Sequence, residues 1–112
     1  MEVLEKVIRI NLLMDFYEPL LTEKQRSVLR YYYVDNFSLS EIADLVSTSR
    51  QAVNDHLKRA EQTLEDYETK LNLVRKHESR VQLLEQLREA VSSGEPDHAD
   101  MIQWLEQLEE LD

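Results

Sequence analysis

The chain has 112 residues, no cysteine, one glycine and a formal net charge of −10. That length suits one compact domain with room for a helical extension. Without cysteine there is no disulfide or thiolate metal site, and a single glycine leaves no glycine-rich phosphate loop.

The acidity is uneven. Residues 1–19 hold two basic and four acidic groups, residues 20–70 seven and nine, and residues 71–112 four and ten, so the negative charge concentrates at the C-terminal end. Such a tail repels nucleic acid over about 8 Å at physiological salt. Val, Ile and Thr are spread through helical periods and never gather into alternating runs, so the expected fold class is all-α. The opening stretch MEVLEKVIRINLLMDF is interrupted by Glu2, Glu5, Lys6, Arg9 and Asp15. This excludes the apolar core of a signal peptide, and no run approaches membrane-spanning length. A soluble cytoplasmic protein with no membrane insertion is expected.

In chain order, a first helix is predicted over residues 2–17. Val3, Leu4, Val7, Ile8, Leu12, Met14 and Phe16 leave it few polar sectors, so burial on several sides is expected. Pro19 ends that pattern. Thr22 with Gln25 forms a capping-box pattern opening a second helix from Glu23 to about Val34. Tyr31, Tyr32 and Tyr33 point about 100° apart on such a helix. Tyr32 is expected in the core with one neighbour sharing it and the third exposed.

Ser38 with Glu41 forms a second capping box before a short helix whose apolar face is Leu39, Ile42, Ala43 and Val46. The polar junction Ser47-Thr48-Ser49 follows, and Ser49 caps a long fourth helix. Its seam of Val53, Leu57, Ala60, Leu64, Tyr67, Leu71 and Val74 advances by alternating fours and threes. The seam falters at His77 and Glu78, where the helix is expected to bend or end. It resumes at Val81, Leu84, Leu87 and Val91. Residues 92–97, with Gly94 as a stop and Pro96 as a start, form the clearest linker. A last helix is predicted over about 97–111. The expected division is an N-terminal helix (1–19), a central helical motif (20–70) and an acidic helical extension (71–112). The extension would pack with the rest as one domain or in a dimer.

Two short helices joined by a tight turn over residues 39–60 have the layout of a helix-turn-helix, whose second helix can enter a DNA major groove. With Ser49 as cap, Arg50, Gln51, Asn54 and Asp55 lie at the front of that helix. Arg can bond two acceptors on guanine, and Gln or Asn can pair with adenine. His56, Lys58 and Arg59 lie further along, where they can neutralise phosphates. Lys24, Arg26 and Arg30 on the preceding helix are placed to help from the side. The candidate DNA-binding set is therefore Arg50, Gln51, Asn54, His56, Lys58 and Arg59. His56, His77 and His98 occur singly with no metal-ligand spacing, and the carboxylates form helix surfaces. No enzyme and no cofactor is expected.

The segment LTEKQRSVLRYYYVDNFSLSEIADLVSTSRQAVNDHLKRAEQTL, about residues 20–66, resembles the fourth conserved region of bacterial sigma factors. The whole chain, with its N-terminal helix and acidic helical tail, looks like the YlxM family. The sigma-like resemblance implies a helix-turn-helix that reads promoter DNA. Where that pattern has Gly, Thr and a phosphate-binding Arg, this chain has Ser47, Ala52 and His56, and Asp55 adds a negative charge. The YlxM resemblance implies a regulatory role near the signal recognition particle, because the family's gene tends to neighbour that of the particle's GTPase. The expected partners are thus DNA, weakly per subunit, a second copy in a homodimer, and as an alternative the particle's protein or RNA.

Overall fold

The computed structural model describes residues 2–111, and among these it contains helices and no strand. The elements are α1 (Glu2–Tyr17), a 3-10 turn (Glu18–Leu20), α2 (Glu23–Tyr33), α3 (Leu39–Leu45), α4 (Arg50–Leu71), α5 (Leu73–Ser92) and α6 (His98–Glu110). The fold is all-α. Packing divides the chain after Asn72 into two units, α1–α4 and α5–α6.

In the first unit α4 is the spine, packed against α1, α2 and α3. Val53, Leu57, Ala60 and Leu64 form its buried stripe. They meet Ile10, Leu13, Met14 and Tyr17 of α1, Val28 and Leu29 of α2, and Ile42 and Ala43 of α3. Burial of each large apolar side chain in this set stabilises by about 1.5–3 kcal/mol.

The N-terminal half of α1 is less buried than expected, and full burial falls on one stripe, Ile10, Leu13, Met14 and Tyr17, with Leu12 and Phe16 half-buried elsewhere around the helix. Val3, Leu4 and Ile8 are exposed by 78%, 59% and 59%. Leu4 and Ile8 point roughly 120–160° away from the stripe that starts at Ile10, Val3 sits in the first turn, and α4 covers a single stripe. A polar seam runs along that contact. Lys6 Nζ lies 2.8 Å from Glu61 Oε1, Arg9 grips both oxygens of Glu65 at 3.1 and 2.9 Å, and the Tyr17 hydroxyl donates to Glu68.

Both predicted capping boxes are present. Thr22 and Gln25 exchange hydrogen bonds at the start of α2, as Ser38 and Glu41 do at the start of α3. The tyrosine run resolves differently from expectation, since all three rings are half-buried. Tyr31 stacks on Phe37 with centroids 5.7 Å apart, and Tyr32 meets Tyr33 edge-on at 5.0 Å. The Tyr33 hydroxyl donates to Glu61 at 2.9 Å. Each ring faces a different direction and finds its own partner.

α4 ends earlier than the seam predicted. Asn72 adopts a left-handed conformation (φ 55°) and its N–H closes on the Glu68 carbonyl. Asn tolerates that geometry better than most residues, so the break falls there. His77 and Glu78 lie inside α5.

The second unit is a helical hairpin. Gly94 (φ 82°) lies in the connection, and Asp97 caps α6 by accepting from the N–H groups of Ala99 and Asp100. Leu83 of α5 is buried and lies beside Gln107 and Leu111 of α6. No helix among the described residues is long and apolar enough to cross a membrane.

Candidate nucleic-acid interface

The turn between α3 and α4 is built by backbone geometry. Val46 caps α3 with its N–H on the Ile42 carbonyl, Ser47 takes φ 55°, and the Thr48 N–H reaches the Ala43 carbonyl at 3.0 Å. That six-to-one bond with a left-handed residue inside it is a Schellman closure. Ser49 then accepts from the Ala52 N–H at 3.0 Å and starts α4. Two residues between a closure and a cap allow no slack, so the front of α4 is set at a fixed angle to α3.

That front carries three of the sequence-derived candidates together. Arg50, Gln51 and Asn54 line one shallow depression with Leu39 of α3. Arg50 and Gln51 are exposed and Asn54 is half-buried. The other three spread around the helix. Lys58 and Arg59 are exposed, Lys58 on the flank beside Lys6 and Arg9 of α1. His56 is half-buried on the opposite flank, against α2 and α3. At roughly 100° per residue Lys58 and His56 diverge by about 160°, so one phosphate strand cannot engage both.

His56 and Lys24 border a cavity of about 120 Å³ whose apolar walls include Val28, Ile42, Val46 and Val53. The three α2 cations differ in availability. Arg30 is engaged by Glu18 at 2.7 Å, and Lys24 is exposed. Arg26 keeps a buried Nε with no acceptor, which leaves a guanidinium with unused donor capacity. Two features escaped the reading of the sequence. Gln51 Nε2 donates to Asp55 Oδ1 at 3.1 Å, a contact whose i, i+4 spacing was legible. The Glu61, Glu65 and Glu68 series also belongs to the contact with α1, which required knowing that α1 lies alongside α4. No cluster of three or more metal-ligating side chains occurs among the described residues.

The sequence profile of a family described as "Putative helix-turn-helix protein, YlxM / p13 like" matches residues 4–104. A UPF0122 protein of Halalkalibacterium halodurans is 48% identical over 110 residues, covering 98% of this chain and all of that protein. One from Geobacillus kaustophilus is 46% identical with the same coverage. One from Shouchella clausii is 53% identical over 93 residues, 83% of this chain and 85% of that protein. With the turn geometry, the profile match and full-length relatives in agreement, the chain belongs to the YlxM/p13-like family of helix-turn-helix proteins.

Proposed function

We propose that this protein is a DNA-binding regulator that lays α4 in the major groove and works as a homodimer. The observation that carries this reading is the closed turn from Val46 to Ser49. It presents Arg50, Gln51 and Asn54 at the open front of α4 while Val53 and Leu57 stay in the core. Bases are read by Arg50, Gln51 and Asn54, and phosphates are met by Lys58 and Arg59, with His56 and Lys24 on the far flank. Pairing of two copies is supported by apolar side chains left exposed in each unit, including Ile8 on α1, Leu84 and Val91 on α5, and Ile102 on α6. A dimer doubles the phosphate contacts that Lys58 and Arg59 of one α4 supply.

Anisotropy titration with DNA from the protein's own operon tests the reading. The log–log salt slope should be on the order of −5 for two subunits with about three phosphate contacts each. Arg50→Ala and Lys58→Ala should each weaken binding. Retention no better than non-specific at low salt, or indifference to both substitutions, overturns it.

A second reading draws on α6. From Glu89 onward the sequence has eight acidic residues and no Lys or Arg, and Ile102 and Leu105 of α6 are exposed. That combination suits a non-catalytic adaptor docking on a basic ribonucleoprotein, the signal recognition particle being the candidate. Co-purification with the particle and altered GTP turnover are its expected outcomes. Failure of both at low ionic strength removes it.

A further inference from the structure

We infer that Asp55 is a specificity-determining residue, fixing Gln51 so that the front of α4 favours the exocyclic amines of adenine or cytosine over the carbonyls of guanine and thymine. This rests on the DNA-binding reading and deepens it. Gln51 and Asp55 are both exposed, and roughly 100° per residue places them on the side of α4 facing away from the buried stripe of Val53, Leu57 and Leu64. A groove that receives α4 meets this pair first.

The amide has one orientation available while the bond holds. An ionised carboxylate only accepts, so Gln51 turns its Nε2 toward Asp55, as the 3.1 Å contact shows. Gln51 Oε1 and the second Asp55 oxygen are then left as acceptors, and the second Nε2 hydrogen is the one donor the pair retains. In the major groove the exocyclic amines of adenine and cytosine are donors, whereas guanine O6 and thymine O4 are acceptors. With acceptors outnumbering its one free donor, the pair bonds the amines of the first two bases and sets mostly lone pairs against lone pairs at the others. This is discrimination by repulsion as well as attraction. Arg50, one residue earlier, supplies donors for a neighbouring guanine. The negative charge of Asp55 lowers affinity for every sequence, and selectivity at one base pair is what it provides in return.

The test is selection of full-length wild type, Asp55→Ala and Gln51→Ala on a randomised duplex library at low salt. Wild type should enrich adenine or cytosine at one position by about tenfold or more. Asp55→Ala should bind the unselected pool several-fold more tightly and lose that preference, because the freed amide can present either end. Gln51→Ala should lose part of the preference without the gain in affinity. Unchanged base preference in Asp55→Ala, with binding intact, overturns the role of Asp55 and leaves the DNA reading standing. Absence of any enrichment or retention by all three proteins overturns both. A measurement on the free protein stands apart from DNA: Asp55→Ala should shift the Gln51 side-chain amide proton resonances, and their failure to move overturns the inference.

Discussion

Ser47 holds φ at 55° between the cap of α3 and the cap of α4. A residue with a Cβ pays about 1–2 kcal/mol for that conformation, and glycine recovers most of it at some entropic cost in the unfolded chain. Ser47→Gly should raise stability by about 0.5–1 kcal/mol, a Tm increase of about 2–6 °C. Ser47→Val should lower it, since a β-branched side chain fits the left-handed region worst. A scan in which Gly gives no rise, or Val melts with the wild type, contradicts this account of the turn. The demand at Ser47 was legible because a resemblance supplied the position. Nothing local in the sequence distinguishes Ser47 from Thr48. Tyr33 makes a second residue-scale case. Burial, and then its bond to Glu61, raise its pKa well above the ordinary value near 10. A group raised in this way contributes stability that is complete below about pH 10 and declines above it, because only the unfolded chain then ionises. Urea unfolding between pH 9 and 11 should show stability falling more steeply in wild type than in Tyr33→Phe, by at most one proton. Parallel curves would place the Tyr33 hydroxyl in solvent.

At the scale of elements, the contact between α1 and α4 combines apolar packing with a row of ion pairs, and magnitudes decide which holds it. Leu13 is fully buried, whereas the side chains of Arg9 and Glu65 are about 40% exposed. Leu13→Ala should cost about 2–5 kcal/mol through lost burial and an unfilled cavity. Arg9→Ala should cost less than about 1 kcal/mol, because an exposed pair gains little over its hydration. Chemical denaturation of both variants checks the ranking, and equal losses would make the polar seam the fastener. The helices themselves were readable in the sequence where the signal is local. Thr22 with Gln25 and Ser38 with Glu41 announce their helix starts through bonds spanning three residues. What was not readable depends on neighbours. How much of α1 is buried is set by what packs against it, chiefly α4 and to a smaller extent α2. The end of α4 is set by one backbone angle at Asn72, a position the apolar period crosses without interruption because Leu71 and Val74 keep the seam's spacing. The candidate face followed the same division. Arg50, Gln51 and Asn54 cluster because the Ser49 cap fixes their start, while Lys58 and His56 part company because the helix turns beneath them.

Over the whole molecule, charge is the property on which the two functional readings make opposite demands. α6 carries Asp100, Glu106, Glu109 and Glu110 with no Lys or Arg. If DNA is the partner, these groups add to a net charge of −10 that opposes approach to any polyanion, an opposition that salt screens. If a basic ribonucleoprotein is the partner, the same groups draw it in and raise the rate of encounter. Replacing Glu106, Glu109 and Glu110 together by Gln keeps helix propensity nearly constant, and all three side chains are exposed, so the fold should survive. On the DNA reading, the triple variant should bind operon DNA about two- to tenfold more tightly at low salt, and the gain should shrink as salt shortens the screening length. On the adaptor reading it should associate more slowly with the signal recognition particle, with a similar salt dependence. One variant measured against both partners therefore separates the readings by the sign of the change. No change in either assay would make the acidity of α6 a matter of solubility alone.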